Sequence, residues 1–329
     1  MTTERVRKNH PDTPHGRLIL RPITGPAEID LFNRLPYTLN HELAEDLAAG
    51  RRRPEWMWVA LDGDRILARA AWWSQEASPS PYLLDILDVD DEGPDLEESD
   101  RVKLLERLLR TAMARVLPRC GTPPDHVRFT PADWRSDPAT ARPVLNRLAA
   151  LELAGARPLV ERLRLEWLPG SPVRPPSDRL RFRPVRDAEE LLGLMTRVLD
   201  GTLDAHSRAN LARMSPRQEA EEHFEGELAR YTSPRSWWRI ATLPDGTPVG
   251  FVTPGHNHYN PVIGYLAVLP EHRGNGYIDD ILAEGTRVMA DLDVPRIRAA
   301  TDLGNVPMAN AFRRAGWVDF EHAIHMTWG

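Results

Sequence analysis

Hydrophobic and polar residues follow a pattern along this chain that occurs twice. The segment RLILRPI at residues 17–23 returns as RLRFRPV at 179–185, which is 162 residues further on. At the far end of each copy, one similar stretch closes at Trp167 and the other at Trp328, 161 residues apart. Because two distant ends agree to within one residue, we interpret the chain as two copies of one unit of about 160 residues.

A proline-rich stretch separates the two copies. The sequence LPGSPVRPPSD at 168–178 contains four prolines, a composition typical of a stiff, extended linker. These observations predict the following boundaries: a flexible tail over 1–14, a first domain over 15–168, a linker over 169–177 and a second domain over 178–329.

The second copy shows a mixture of strand and helix patterns. Asp245-Gly246 between two β-rich runs predicts a hairpin, and the apolar run IGYLAVL at 263–269 predicts a strand covered on both faces. The remaining predicted elements are a strand at 180–185, helices at 187–199, 216–231, 276–292 and 306–315, and strands at 296–301 and 317–328. We therefore predict an α/β fold in which each copy is a mixed, mostly antiparallel sheet flanked by helices.

Composition and charge narrow the possible functions. The 329 residues are 41% hydrophobic and 27% charged, as in ordinary globular proteins. A net charge of -6 argues against a nucleic-acid partner, because phosphate binding needs a basic surface. We interpret the basic run Arg51–Arg53 as a solvated loop.

The cysteine count and the hydropathy indicate a cytoplasmic protein. Cys120 is the single cysteine, so an intramolecular disulfide is excluded, and no Cys/His spacing predicts a zinc site. Residues 1–14 contain no apolar core of a signal peptide, and no apolar run approaches the roughly 20 residues of a membrane span. We therefore expect no membrane partner, and the sequence leaves the oligomeric state open.

The most informative segment is VLPEHRGNGYIDDILAEG, at residues 268–285, where a buried strand leads through a glycine-containing loop into a helix. The first N–H groups of a helix have no partner within the helix and carry partial positive charge. Gly274 and Gly276 would allow an anion to approach these groups closely, so the segment predicts a phosphate site.

This segment resembles the signature of the GNAT superfamily of acyl-CoA N-acyltransferases. That signature is Arg or Gln, two residues, Gly, one residue, then Gly or Ala, and here it reads Arg273, Gly276 and Ile278. Ile278 departs from the pattern.

The resemblance also implies which residues hold the donor. It implies that backbone amides from residue 273 to 278 hold the CoA pyrophosphate and that the strand backbone at Leu266 and Val268 pairs with pantetheine and the acyl carbonyl. The implied loop residues are Arg273, Gly274, Asn275, Gly276, Tyr277 and Ile278. The family uses acetyl-CoA without a metal, so we expect acetyl-CoA as the cofactor and CoA as a product.

A second landmark of the family also appears, as TDLGNVPMANAFRRAGW at 301–317, in which Asn305 and Gly316 match. The family commonly has a tyrosine seven residues after the asparagine, where it protonates the leaving thiolate. This chain has Phe312 at that position, and a phenylalanine has no proton to give.

The first copy lacks the phosphate loop. Its matching segment, DDEGPDLEESD at 90–100, has seven acidic side chains, which would repel a diphosphate. The positions that correspond to Asn305 and Phe312 are Val144 and Leu151. We therefore interpret the first copy as a degenerate GNAT-like domain with a structural and substrate-shaping role.

Transfer of an acyl group to an amine needs a base, a donor for the oxyanion and a proton for the thiolate. Some relatives place an acid/base residue on the strand, at positions that correspond to Val262 and Gly264, and neither can titrate. The loop at 255–260 precedes that strand and contains the densest titratable group of the second copy. We expect the base among its side chains, His258, Tyr259 and His256.

Three further residues are weaker candidates. Asp302 follows a strand that faces the cofactor gap and could orient an amine, although Asp before a Gly-Asn turn is commonly a turn residue. Asp204 and His206 lie in the segment that usually covers the acceptor in this family.

These observations predict an acetyl-CoA-dependent N-acetyltransferase that transfers an acyl group to a small-molecule primary amine by direct attack in a ternary complex. A protein that binds acyl-CoA as a sensor or scaffold, without turnover, is the alternative, favoured by Phe312 and by the strand positions Val262 and Gly264, which cannot titrate. Transfer from aminoacyl-tRNA is a third possibility, and the acidic chain argues against it.

Overall fold

The computed structural model describes residues 18–75, 78–94, 96–118 and 121–329. The predicted tail over 1–14 and Cys120 therefore lie outside the described residues. The chain divides into two compact units. Unit 1 comprises the described parts of Met1–Val127 together with Pro138–Arg157 and Thr327–Gly329, and unit 2 comprises Arg128–Asp137 and Pro158–Met326.

Strands and helices follow the same order in each sequence copy, except that the second copy has three α-helices after its first strand and the first copy has two. The strands are β1 (Ile19–Pro22), β2 (Met57–Asp62), β3 (Arg65–Trp73), β4 (Leu83–Val89), β5 (His126–Pro131), β6 (Arg157–Trp167), β7 (Arg181–Pro184), β8 (Arg239–Thr242), β9 (Pro248–His256), β10 (Pro261–Val268), β11 (Ile297–Asp302) and β12 (Val318–Thr327). The α-helices are α1 (Ile29–Phe32), α2 (Leu43–Ala48), α3 (Glu98–Val116), α4 (Pro138–Leu153), α5 (Ala188–Val198), α6 (Ala205–Leu211), α7 (Pro216–Gly226), α8 (Tyr277–Ala290) and α9 (Val306–Arg314). The predicted mixed sheet flanked by helices is confirmed.

In unit 1, β1 to β4 form an antiparallel meander, and β4 pairs in parallel with the start of β5 at Leu84 and His126. Helix α3 packs on this sheet through a stripe of buried leucines. Burial of these side chains supplies the hydrophobic core of the unit. The stripe consists of Leu104, Leu105, Leu108 and Leu109.

The interpretation of Arg51–Arg53 as a solvated loop was wrong. The side chain of Arg52 is fully buried and donates two parallel hydrogen bonds to Asp85, at 2.8 and 2.6 Å, and a third to Asp46 at 3.0 Å. A bidentate guanidinium–carboxylate pair can remain charged in a buried position because each charged atom keeps a partner. The sequence run gives no sign of this, because Asp85 lies 33 residues away.

In unit 2 the strand order is β5 (its residues 128–131), β12, β6, β11, β10, β9, β8, β7. Strand β6 is the last strand of the first sequence copy, yet it pairs antiparallel with β11 of the second copy, from Ile297 opposite Trp167 to Asp302 opposite Arg162. The compact unit and the sequence repeat therefore divide the chain differently. The predicted boundaries describe the repeat, and they stay a prediction.

Two apolar clusters stabilise unit 2. One joins α8 and α9 to the sheet and includes Leu163, Leu165 and Trp167 of β6. The other joins α5 and α7 to β8 and β9. The site described below lies on a sheet that is held on both sides by packed helices.

One ion pair recurs at the repeat spacing. Arg21 on β1 pairs with Glu28, and Arg183 on β7 pairs with Glu190, each at 2.7 Å. The hydrogen bond from the arginine is the main cause that lowers the pKa of Glu28, and likewise that of Glu190, to about 2. Each pair ties the chain after the first strand of its copy back onto that strand, so the internal repeat extends to side-chain contacts.

Some element ends differ from the predictions. The predicted helix over 216–231 ends at Gly226, and a short 3-10 turn over Leu228–Arg230 follows. Strand β9 continues to His256, so only residues 257–260 form the connection that was predicted as a loop over 255–260. Both differences arise from tertiary contacts, which local patterns do not contain.

We expect a fragment of residues 158–329 to fold and a fragment of residues 173–329 to lose cooperative unfolding. The shorter fragment lacks β6 and therefore three core side chains, Leu163, Leu165 and Trp167. Thermal unfolding followed by circular dichroism measures this. A transition of 173–329 as steep and as high as that of 158–329 would mean that β12 can take the place of β6 against β11.

We expect the stability that Glu190 contributes to disappear in acid. Its pKa in the folded protein is about 2, below the ordinary value of about 4.3, so its contribution is complete above about pH 4.3 and is lost as pH falls toward 2. The urea midpoints of the wild type and Glu190→Gln should therefore differ most at pH 5 and converge by pH 2. A difference between the two urea midpoints that does not change with pH would contradict the lowered pKa of Glu190. Glu222→Gln, at an exposed position, serves as the control.

Candidate active site

Strands β10 and β11 separate after a short contact. Within the described residues, their parallel ladder consists of one pair, Val262 with Arg298. Beyond it, β10 remains paired with β9, and β11 remains paired with β6. The register of β10 with β9 shifts between Ile263 and Tyr265, which marks a β-bulge at Gly264. The two strands therefore open a gap toward their carboxyl ends.

The loop from β10 to α8 presents backbone amides at the end of this gap. Gly274 and Gly276 have φ angles of 79° and 71°, in the left-handed region that glycine favours. Gly276 is the N-cap of α8, and a β-carbon at either glycine would meet no atom within 4 Å. The loop therefore has the form of an open anion cradle, and no protein acceptor is bonded to the amides of residues 274–278 in the described part of the chain.

The side chain of Arg273 has a structural partner. Its guanidinium donates to the carbonyl oxygens of Val198 and Asp200, at 2.8 and 2.7 Å, just after α5 ends. An arginine at this position satisfies carbonyl groups that a helix end leaves unpaired. Arg273 thus joins the loop to the end of α5, and the cradle itself is built from main-chain amides.

The sequence interpretation missed Arg179, which lies beside the same loop. Its guanidinium donates to the carbonyl oxygen of Asn275 at 2.5 Å and lies 4.7 Å from the centre of the Tyr277 ring. The side chain is 42% exposed, so it can place positive charge at the entrance of the cradle. Its position before β7 gives no sequence signal for this role.

The other predicted donor residues lie along the same gap. Leu266 and Val268 are half-buried on β10, and Ile278 is half-buried in the first turn of α8. Asn305 is the N-cap of α9, where its side chain accepts a hydrogen bond from the N–H of Met308 at 3.4 Å.

Phe312 is fully buried and packs against Trp317, with the centres of the two rings 5.0 Å apart. It belongs to the hydrophobic core that joins α8 and α9 to the sheet. The packing gives the side chain at this position a role in the core.

Asp302 is the last residue of β11 and is 3% exposed. Its Oδ2 accepts a hydrogen bond from the N–H of Ala205 at 2.6 Å, and its Oδ1 lies 3.1 Å from Nε of Arg162, directly opposite on β6. Burial and the charge of Asp204 raise the pKa of Asp302, against the opposing effect of Arg162. Asp302 is therefore a buried carboxylate at the carboxyl end of the gap.

Asp204 completes this cluster. It is the N-cap of α6, and Arg162 lies 3.5 Å from its Oδ2. Burial alone would raise the pKa of Asp204, but the charge of Arg162 and the Ser207 N–H outweigh it, so the pKa is lowered. His206 stands beside His325, with ring centres 4.8 Å apart. Asp302 is thus a neighbour of Asp204 and His206, which lie almost 100 residues earlier in the chain. The sequence interpretation missed Arg162 because it belongs to the first sequence copy.

The predicted catalytic side chains of the 255–260 segment lie at the β9–β10 turn. His258 and Tyr259 are exposed, and His256 ends β9, where its N–H donates to Ser233 Oγ at 2.9 Å. The turn is closed by the side chain of Asn257, which accepts from two main-chain amides. The eight residues of β10 separate this turn from the cradle by about 23 Å at ordinary strand rise. A catalytic role for these three side chains stays a prediction.

A tyrosine that the sequence interpretation missed covers the bulge. The ring of Tyr231 lies against Gly255 of β9 and Gly264 of β10, and a β-carbon at Gly264 would clash with its phenol oxygen. The phenol donates a hydrogen bond to Glu227 at 2.9 Å. Burial and then the charge of Glu227 raise the pKa of Tyr231 well above its ordinary value. Two glycines inside adjacent strands are the sequence signal of such a close approach.

The described residues contain no group of three or more His, Cys, Asp or Glu side chains placed to hold a metal ion. Among the same residues, no helix combines the length and the apolar composition that crossing a membrane requires.

Residues 179–318 match the model of the acetyltransferase (GNAT) domain. A GCN5-related N-acetyltransferase from Sphaerobacter thermophilus superposes with a TM-score of 0.59 at 16% identity, covering 97% of this chain and 96% of that one. A tandem GNAT protein from the clavulanic acid biosynthesis pathway superposes with a TM-score of 0.52 at 15% identity, covering 94% and 98%. No curated protein matches the chain in sequence. The second copy of this chain is therefore a GNAT acetyltransferase domain, and the chain as a whole has the fold of GNAT proteins, a tandem member included.

Proposed function

We propose that this protein is an acetyl-CoA-dependent N-acetyltransferase that acts on a small-molecule primary amine by direct attack in a ternary complex. The observation that carries the proposal is the gap between β10 and β11 that ends at the outward amides of residues 274–278. A cradle of main-chain amides with two left-handed glycines suits a pyrophosphate, because it offers several donors without steric cost.

The donor site of this proposal uses groups that the structure leaves available. Amides of Gly274, Asn275, Gly276, Tyr277 and Ile278 would hold the pyrophosphate, with Arg273 fixing the loop. Leu266 and Val268 would offer strand backbone to the pantetheine arm. Arg179 adds charge at the entrance, and Asn305 shapes the opposite wall.

At the acceptor end, the proposal uses the cluster of Asp302, Asp204 and Arg162. Two carboxylates against one guanidinium leave a net negative charge beside the gap, which attracts a protonated amine. Acetyl-CoA supplies an activated thioester when bound. The chain must then orient the amine, remove its proton and return a proton to sulfur. On the sequence argument the base is one of His256, His258 and Tyr259, and Asp302 orients the amine.

We propose that the first copy is degenerate and binds no acetyl-CoA. In unit 1, the segment after β4 is closed by its own side chains. Arg65 donates to Asp90 at 2.6 Å, and Arg101 donates to the carbonyl oxygen of Gly93 at the same distance. The Gly93 N–H donates to Asp90 Oδ1 at 2.9 Å, so this amide is already used.

The alternative of an acyl-CoA-binding protein without turnover rests on two observations, the buried Phe312 in the place of the family's proton donor and the positions Val262 and Gly264 of β10, which cannot titrate. Release of free thiol from acetyl-CoA, screened across classes of primary amine, distinguishes the two functions. A cytoplasmic location belongs to the proposal as well.

We expect acetyl-CoA to bind with a stoichiometry near one per chain, measured by calorimetry. Gly276→Glu should weaken binding by at least about tenfold more than Gly276→Gln, because a carboxylate in the cradle repels the diphosphate. Both variants carry the same strain at a left-handed position, so their difference isolates the charge. Two sites per chain, or equal binding by the two variants, would contradict the proposal that only the second copy binds acetyl-CoA, at the loop of residues 274–278.

We expect Asp302→Asn to raise the KM of the amine by about tenfold or more, since the substitution removes one of the two carboxylates whose net negative charge attracts the protonated amine. The affinity for acetyl-CoA should change by less than about threefold. Asp291→Asn, an exposed position after α8, is the matched control. An unchanged KM in Asp302→Asn would remove this carboxylate from the acceptor site.

A further inference from the structure

We infer that Tyr231, hydrogen-bonded to Glu227 and laid over the bulge of β10, is the residue that moves the proton from the acceptor nitrogen to the leaving sulfur. This inference rests on the proposed acetyl transfer and names its proton carrier. It assigns the chemistry to the face of the sheet covered by α5 and α7.

The position of the phenol is the first argument. The Tyr231 ring occupies the space that side chains at Gly255 and Gly264 would fill, so the main chain brings the phenol oxygen to the strand itself. The bulge at Gly264 lies between the single β10–β11 pair at Val262 and the strand backbone at Leu266. This is where the gap begins, two residues from the backbone assigned to the acyl end of the donor.

The partner of the phenol is the second argument. Glu227 accepts the hydrogen bond from Tyr231 through Oε1, and its Oε2 lies 3.9 Å from Nε2 of His223. Residues 223, 227 and 231 are four apart, so the end of α7 and the following 3-10 turn place them in one row. The carboxylate is half-exposed and can exchange a proton with solvent, while the ring is held against the two glycines.

The third argument is that the half-buried ring of Tyr231 does more than pack against its neighbours. A phenylalanine would cover both glycines equally well. A phenol that serves only as filler would need a partner for its O–H, and a neutral acceptor or water would suffice. This chain instead places a carboxylate there, which makes the phenol oxygen electron-rich and gives its proton a destination.

The proposed step balances without another reactant. The neutral amine attacks the thioester carbonyl, and a C–N bond forms. The nitrogen gives its proton to the Tyr231 oxygen while the phenol proton passes to Glu227. When the C–S bond breaks, Tyr231 gives a proton to the sulfur and recovers one from Glu227. The products are the amide and the free thiol, with both side chains restored.

Tyr231→Phe tests the phenol while keeping the ring. We expect kcat to fall by about 10²- to 10⁴-fold, the usual effect of removing a general acid/base. The calorimetric affinity for acetyl-CoA should stay within about threefold. Tyr265→Phe is the matched control, because its ring also packs on the α5–α7 face. Loss of less than about tenfold in Tyr231→Phe overturns the inference.

Glu227→Ala tests the carboxylate with a readout that a structural role would not change. We expect kcat to fall by at least about tenfold and sodium formate to restore it, since formate can replace a missing half-exposed carboxylate. Glu222→Ala, an exposed position on α7, should show neither effect. Loss of activity without rescue by formate, propionate or acetate overturns the relay.

A measurement without turnover tests the pair itself. In ¹³C-tyrosine spectra, the signal assigned by its absence in Tyr231→Phe should ionise at lower pH in Glu227→Gln than in the wild type, because the charge of Glu227 raises the pKa. Other titratable groups on the elements around the ring include His223 and Glu219 on α7, Tyr265 on β10 and His256 on β9, and all of them are retained in both proteins. An unchanged signal overturns the pairing.

The same assays separate this inference from the proposed function. If the wild type binds acetyl-CoA and releases no thiol with any amine, the proposed transfer fails. If the wild type turns over and His258→Ala, His256→Ala or Tyr259→Phe abolishes it while Tyr231→Phe does not, the transfer stands and the β9–β10 turn supplies the base.

Discussion

The pairing of β6 with β11 is the constraint on which the rest of unit 2 depends. Strand β6 completes the sheet beside the gap, and it contributes Leu163, Leu165 and Trp167 to the core beneath α8 and α9. It also places Arg162 opposite Asp302, so one strand provides both the hydrophobic contacts and the counter-charge of the buried carboxylate. Without β6, the carboxylate of Asp302 would lack the guanidinium that neutralises it, and an unpaired charge that stays out of water lowers the stability of the fold. The first sequence copy is therefore part of the site in the second.

Much of the fold could be predicted from the sequence, because the repeat and the strand and helix periodicities are local. Arg183 and Glu190 of the second copy stand where Arg21 and Glu28 stand in the first. The start of α8 just after Gly276 agrees with the glycines that precede it in the sequence. The pairing of β6, from the first sequence copy, with β11 of the second could not be predicted. Strands β6 and β12 carry the same pattern, so the sequence cannot say which of them pairs with β11.

The candidate site also has parts that local sequence specifies and parts that it does not. The cradle could be found from sequence because the binding role proposed for it depends on consecutive main-chain groups, which a short motif specifies. The Asp302 cluster and Tyr231 depend on residues far apart in the chain, and they become neighbours only through the sheet. The 255–260 segment is the opposite case, and its catalytic role stays a prediction. A dense titratable group is visible in sequence, yet β10 places it at the end of the strand away from the cradle.

The absence of a titratable side chain at positions 262 and 264 of β10 is weak evidence for a protein without turnover. Gly264 removes a side chain from β10, and the same absence lets the Tyr231 ring reach the main chain there. Chemistry that one position on the strand lacks can be supplied by a residue more than thirty positions earlier, because the bulge and the glycines leave room for it. The buried Phe312 fits this view: a site whose proton carrier lies on the α5–α7 face leaves the opposite face free to be filled with hydrophobic core. The two glycines and the buried phenylalanine are then consequences of one arrangement, in which the polar chemistry lies on one face of the sheet and the packing on the other.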